Sequence, residues 1–402
     1  MKPLKNKMLL MDTLLEVLDV EERKIHESLP PGFSPADLQS IDDFSKNPIN
    51  EEEKFLGAPV TDWPEPELKS YMDRIAAGTK GKDDPTEKYK YPYIHKSNII
   101  DDATGKVVDP DVLRKLIIAR PDKILKQNAK MQHSGGDLKF FDISLPALRG
   151  IIVDELTGDF KIVNTCPGAG PCKVYCYARK GGYVQWKRAS LLQTRVLNFL
   201  LNDWAGFKAK VKSEIESVSK KAGKNFVKTA GNKYKVVIRW HDSGDFMAEK
   251  YLNIAFDIAR ETPDVLHYAY TKRVGMVGAA TKPDNFVFNF SQGAAAPEEG
   301  QIDTKKDKHS VVVPRQFFSD YLHKDKETEK WVFNSPQALD IFKDKMSLKY
   351  SIDKDTILTY DELMKTPYES DRVKKLNIIV PAGSGDDAAS RSDVQGTYLL
   401  IH

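Results

Sequence analysis

All three cysteines of the chain, Cys166, Cys172 and Cys176, stand in one eleven-residue stretch, Cys-Pro-Gly-Ala-Gly-Pro-Cys-Lys-Val-Tyr-Cys. Three thiolates on a Gly/Pro-rich loop repel one another unless a cation neutralises them, and soft thiolate clusters select zinc, copper(I) or iron-sulfur centres. A disulfide framework uses even numbers of cysteines spread over a small secreted domain. An odd cluster in a 402-residue chain therefore reads as ligation or redox work, with ligation of a metal the foremost reading, in a reducing compartment. A structural zinc site takes four protein ligands, and His241 or His267 is the candidate for the missing one. A 4Fe-4S cluster needs one ligand per iron, so three cysteines leave one iron open.

Positioning such a loop requires a scaffold, and the middle of the chain alternates apolar strand runs with helical segments. Residues 148–165 read as two short strands about the turn Thr157-Gly158-Asp159 and lead into the cysteine loop. A helix is expected over 185–202, with Leu192, Val196, Phe199 and Leu200 on one face. Strands over 234–240, 265–270 and 285–290 each end in a polar tip: His241-Asp242-Ser243-Gly244-Asp245, then Tyr270-Thr271-Lys272-Arg273, then Ser291-Gln292-Gly293. Later strands over 310–313 and 376–380 end at Pro314-Arg315 and at the Gly-rich 381–387. Strands separated by helices argue for parallel βαβ units, and sites form at the C-terminal ends of such strands. The fold class read here is α/β, a partial or complete barrel of parallel strands over residues 136–402. A mainly helical accessory region over 1–135 precedes it, with helices near 12–25 and 65–77 and one starting at Asp109-Pro110.

The chain holds 41% hydrophobic and 30% charged residues at a net charge of +3, too little to imply a nucleic-acid partner by itself. No signal peptide or membrane span is read, and the cytoplasm is the expected location, the host's if the chain is phage-encoded. Between Ala205 and Lys235, nine lysines face two glutamates. That segment reads as a candidate surface for a polyanion or nucleic acid, or equally as a solubilising helix. No Walker, Rossmann or Ser-His-Asp signature competes with the metal reading.

The cysteines after a first strand, with Tyr175 just before the last one, resemble the cluster loop of the radical S-adenosylmethionine enzymes. Their spacing departs from that pattern, with five and three intervening residues here in place of three and two. A closer resemblance is to the phage gene product eighty-eight-like domain family, carried by Thr165 to Ala178 and His241 to Phe246 over roughly residues 140–295. The radical resemblance implies that Cys166, Cys172 and Cys176 bind three irons while S-adenosylmethionine chelates the fourth. Reduction would then release a 5′-deoxyadenosyl radical. It further implies cofactor contacts from Asp242, Ser243, Gly244 and Asp245, and from Asn289, Ser291 and Gln292, with Tyr270 and Lys272 in catalytic positions.

Plainer readings stand beside these. Asp242 and Asp245 suit the capping of a helix near Met247, Tyr268 and Tyr270 suit strand packing, His241 suits a core position, and Lys272-Arg273 suits a solvated pair. Two functions follow: an iron-sulfur enzyme of radical type, or a zinc-stabilised, nucleic-acid-associated phage protein without radical chemistry.

Overall fold

A computed structural model describes residues 54–78, 90–127, 131, 138–174, 176–224, 234–313, 321–327, 331–366, 378–380 and 387–400. The helix expected over 12–25, Tyr175 and most of the Gly-rich 381–387 lie outside these residues. In chain order come β1 (Val60–Asp62), α1 (Glu65–Ala76), α2 (Pro110–Ile118), β2 (Lys139–Ile143), β3 (Arg149–Val153) and β4 (Phe160–Asn164). After the cysteine loop follow α3 (Lys187–Asn202), α4 (Trp204–Lys224), β5 (Val236–Trp240), α5 (Glu249–Glu261), β6 (Val265–Thr271), α6 (Val274–Ala279) and β7 (Phe286–Ser291). The last part holds β8 (His309–Val313), the hairpin of β9 (Leu322–Lys324) and β10 (Trp331–Phe333), α7 (Pro336–Tyr350), β11 (Ile357–Thr359), β12 (Ile378–Val380) and β13 (Gly396–Leu400).

Eight strands form one sheet in the order β11-β12-β13-β8-β7-β6-β5-β2, and every neighbouring pair is parallel. The Val/Ile/Phe-rich runs of β5, β6 and β7 are buried almost throughout, as strands covered on both faces must be. The α/β expectation therefore holds. Closure into a barrel is not found: the edge strands β2 and β11 do not pair among the described residues. The free edge of β2 is instead occupied at Asp142, whose backbone exchanges hydrogen bonds of 2.8 and 3.1 Å with Lys126.

Alternation along the strands divides the sheet into two unlike faces. Ile238, Trp240, Ala269, Phe286 and Phe288 turn to the side packed by α3, α4 and α5, through Leu197, Leu200, Phe207, Val211, Tyr251 and Phe256. Phe140, Val237, Leu266, Tyr268 and Val287 turn the other way, where their described cover includes Ala389 of the four-residue turn Asp387–Ser390.

β3 and β4 form the hairpin read from the sequence, with Gly158 at φ +82° in its turn. They do not join the large sheet; β1 adds to them antiparallel, in the order β1-β4-β3. Trp63, Leu68, Met72, Tyr91, Leu113 and Ile117 pack on Ile151, Val153, Phe160 and Ile162, so the described N-terminal segments bear directly on the hairpin that feeds the cysteine loop. α2 starts as the Asp-Pro signal predicts, the Asp109 carboxylate accepting from the Asp111 N–H at 2.9 Å.

As far as Lys224 the basic segment forms α4, in keeping with the surface-helix reading. Phe207, Val211 and Ile215 face the core at helical spacing. Lys208 pairs with Asp257 at 3.1 Å and Glu261 at 2.9 Å, Lys212 with Glu261 at 2.9 Å, and Lys210 with Glu214 at 3.4 Å. These three lysines tie α4 to α5 and to itself, while Lys228 and Lys233 of the same segment lie outside the described residues. No described helix is long and apolar enough to cross a membrane.

Candidate functional site at the cysteine loop

The loop leaves β4 at Thr165, whose hydroxyl donates to the Pro146 carbonyl at 2.7 Å and whose carbonyl accepts from the Asp245 N–H at 2.9 Å. It then runs along the C-terminal ends of β5, β6 and β7. Gly170 and Cys172 N–H groups donate to the Gly293 carbonyl at 3.1 and 3.2 Å, the Ala295 N–H donates to the Gly168 carbonyl at 2.9 Å, and Ala169 bridges Ala294. Glycine is required by this contact: a Cβ on Gly168 would fall 2.4 Å from the Lys272 carbonyl oxygen, and one on Gly170 2.1 Å from that of Ala294. The sequence Pro-Gly-Ala-Gly-Pro is thus a seam stitched to three strand ends.

The seam gathers the thiols. Cys166, Cys172 and Cys176, each partly exposed as a whole residue, pack on the buried Leu148 and Ala169. Burial pushes the Cys166 thiol up to about 12, helped by the neighbouring Asp245 carboxylate and the other two sulfurs. Burial raises Cys172 and Cys176 as well, with Lys272 opposing it at both and the Ala178 and Arg179 N–H groups and the Arg179 guanidinium opposing it at Cys176. The Leu148 N–H donates to the Cys166 sulfur at 3.3 Å, from a backbone held at φ +66°. Among the described residues, no three His, Cys, Asp or Glu side chains are drawn together as the ligands of one ion would be.

The structure brings Asp245 and Lys272 to the loop. Asp245 accepts from the Thr271 hydroxyl at 2.7 Å, the Lys272 N–H at 2.8 Å and the Phe246 N–H at 2.7 Å. It ties the end of β5 to the end of β6 and does not cap α5, whose N-cap position is Ala248. The Lys272 ammonium donates to the Ser291 hydroxyl at 2.8 Å; it is no loose surface charge. Ser243 is turned inward, donating to the Leu145 carbonyl at 2.5 Å and accepting from Gln193 at 2.8 Å. Gly244 sits at φ +85°, where a Cβ would meet that of Leu145 at 2.8 Å. Asn289 and Tyr270 lie on the second face of the sheet, Asn289 donating to the Ala389 carbonyl at 2.9 Å and Tyr270 lying 5.1 Å from the Arg239 guanidinium. The Gln292 N–H donates to the Ser310 carbonyl at 2.9 Å.

The proposed fourth zinc ligands are engaged elsewhere, which corrects that expectation. His267 accepts from the Trp240 indole at 3.1 Å, with the Thr262 hydroxyl 2.9 Å from its other nitrogen. His241 pairs with the Tyr251 hydroxyl at 2.8 Å. Burial depresses both imidazoles to about 3, so they stay neutral in the core.

Asp242 belongs to a second cluster that the sequence did not mark. Ser144 lies between its carboxylate and that of Asp142, 3.0 Å from the latter. Lys126 stands 3.5 Å from Asp142 and 3.6 Å from Asp242, the Tyr183 hydroxyl donates to Asp242 at 3.2 Å, and Tyr177 donates to the Asp242 carbonyl. Burial and the facing carboxylate push Asp142 up to about 8. Its only trace in sequence is the polar Asp142-Ile-Ser144 ending an apolar run, the same signature as the other strand ends.

A cysteine loop docked across the C-terminal ends of parallel strands defines an α/β protein with one thiol-rich site. The family model for gene product 88 matches residues 122–358, more than half of the chain, and the chain belongs to that phage protein family. No curated protein and no solved structure matches it. The family match does not extend to the radical enzymes.

Proposed function

We propose that the cysteine loop holds a 4Fe-4S cluster with one open iron, and that the protein is an enzyme using it in radical S-adenosylmethionine-like chemistry. The observation that carries this reading is the convergence of three thiols on one apolar patch, with backbone N–H groups directed at the sulfurs of Cys166 and Cys176. Donors of this kind stabilise thiolates and tune cluster potential. The residues fit such a group. Three buried thiols are held neutral when alone, so a cation is what would bring them to the thiolate form. A cluster also asks less of their convergence than a single ion does, because each cysteine serves a different iron.

When bound, the cluster would supply one electron and an open iron at the strand ends. The chain's own part is to hold and orient. Gly168 and Gly170 let the loop reach the strand ends, and Asp245 fixes the Lys272 backbone. Ser291 aims the Lys272 ammonium toward the side of Cys172 and Cys176, where it offsets thiolate charge and offers a donor to a carboxylate-bearing cofactor. Metal and acid-labile sulfide content of protein purified without oxygen tests the reading. About four irons and four sulfides per chain, lost in Cys172→Ser, followed by S-adenosylmethionine cleavage on reduction, is the expected result. One zinc without sulfide refutes the cluster and restores the zinc reading. Iron and sulfide without cleavage refutes the radical half alone.

A further inference from the structure

From Phe160 to Asn202 the chain carries seven Lys and Arg residues and no Asp or Glu. Four of these cations serve the fold. Lys161 pairs with Asp62 at 2.6 Å, Lys173 is buried, Arg179 reaches the Tyr91 and Ala147 carbonyls, and Arg195 donates to the Leu116 carbonyl at 2.8 Å. The other three, Lys180, Lys187 and Arg188, are exposed and have no ion-pair partner among the described residues. Their setting differs from that of α4, where Lys208, Lys210 and Lys212 each face a carboxylate.

Aromatic rings alternate with these cations in the order Tyr177, Lys180, Tyr183, Trp186, Lys187, Arg188. Trp186 is 67% exposed and Tyr177 41%, and among the described residues the Trp186 indole stacks on no other ring. Neither ring hangs on a loose loop. The Tyr177 hydroxyl donates to the Asp242 carbonyl, and its ring meets that of Tyr183 edge-on at 5.7 Å. The main chain around Trp186 is held at three points. Tyr93 donates to the Val184 carbonyl at 2.6 Å, a His95 ring nitrogen lies 3.2 Å from the Gln185 carbonyl, and Asn98 donates to the Lys187 carbonyl at 3.3 Å. Rings presented on a backbone already fixed lose little entropy when a partner covers them. α3 also opens on Lys187 and Arg188, where its dipole favours Asp or Glu, and no side chain caps it. An anion beside those two cations relieves that conflict.

We infer that residues 177–188 are a docking surface for single-stranded nucleic acid, with Tyr177 and Trp186 stacking on bases and Lys180, Lys187 and Arg188 meeting phosphates. The composition of the patch sets the class of partner. The other exposed residues in it are Gly181, Gly182 and Gln185, and no exposed Leu, Ile, Val or Phe lies among them. The patch therefore lacks the apolar core on which a protein interface is built. Isolated rings interleaved with unpaired cations suit bases threaded on a phosphate chain. In a duplex the faces of the bases are already stacked, so an unpaired strand is the form these rings can use. The surface is a different segment from the lysine-rich α4. It follows Cys176 directly in the chain, yet it needs no metal there and stands apart from the cluster reading.

The test is fluorescence anisotropy of labelled oligo(dT) and oligo(U) of about twelve nucleotides, and of a duplex of the same length, with the full chain as purified. Neither reductant nor S-adenosylmethionine is added, so failure here leaves the cluster reading untouched. One or both single strands should bind, more tightly than the duplex, and the preference between them tells DNA from RNA. Trp186→Ala should weaken binding on the order of tenfold, and Trp186→Phe, which keeps a ring, should recover most of the loss. Lys180→Gln, Lys187→Gln and Arg188→Gln combined should lower affinity and reduce the slope of log affinity against log salt by about two. These side chains are exposed, so the variants keep the fold. No binding of either strand at low salt overturns the inference. So does binding that ignores these substitutions and is lost in Lys220→Gln with Lys221→Gln, which would move the contact to α4. Self-association of the chain in sedimentation velocity, abolished by Trp186→Ala while no strand binds, would assign the patch to a protein contact and overturn it as well.

Discussion

Asp142→Asn should flatten the pH dependence of stability between weakly acidic and neutral pH. In the folded protein the Asp142 carboxyl is buried, faces Asp242 and is only partly compensated by Lys126 and Arg239, and its pKa is raised from 3.8 to about 8. The sign follows from proton counting. Between those values the folded state holds a proton that the unfolded chain has released, so stability falls as pH rises through the window. One proton corresponds to about 1.4 kcal/mol per pH unit, so the wild type loses on the order of 3 kcal/mol from this group between pH 5 and pH 7. Asn keeps the shape and bears no titrating proton. Urea denaturation of both proteins at pH 5, 6 and 7 measures the difference in slope, which should approach one proton. Parallel pH profiles would refute the argument that Asp142 holds a proton at neutral pH. Lys126→Met, which removes the nearest cation, should shift the pH-sensitive window upward, against the expectation for any pair held only by the lysine.

Three further substitutions probe the scaffold. Gly170→Ala drives a methyl into the Ala294 carbonyl; it should destabilise by about 1–3 kcal/mol and release the loop, read by urea denaturation and by faster thiol labelling of Cys172. Asp245→Ala strands three donors at the junction of β5 and β6; a loss of roughly 3 kcal/mol or more is expected from the same denaturation curves, and a loss below 1 would mean that the clamp is dispensable. Asp109→Ala removes the cap of α2 and should cost about 1 kcal/mol with no effect on metal content, which separates helix stability from the site.

The strand and helix alternation was legible because it depends on local pattern. β5, β6 and β7 are continuous apolar runs with polar tips, and all three appear within a residue or two of their expected bounds. β2 was missed; its five residues, Lys-Phe-Phe-Asp-Ile, mix charge into an apolar run, and the contacts that make a buried Asp142 tolerable come from Lys126 and Ser144. α4 was one of the readings of the lysine-rich segment, but its Phe207, Val211 and Ile215 stripe was not picked out beneath the charged outer face. The partners of the two histidines, Trp240, Thr262 and Tyr251, could not be read from sequence because strand register and α5 bring them there; for His241 the core reading was the one that held.

By itself the sequence placed all three thiols on one eleven-residue Gly/Pro-rich loop, and with no other cysteine in the chain that loop is where soft-ligand chemistry would reside. It also determined an α/β scaffold whose strands end in polar tips. Tertiary structure alone decided which strand ends the loop crosses, since that rests on close approach of Gly168 and Gly170 to backbone oxygens over a hundred residues away in the chain. It also decided that the sheet stays open and that the carboxyls of Asp142 and Asp242 face each other. Register between parallel strands is a property of pairs of strands, and no single run of residues contains it.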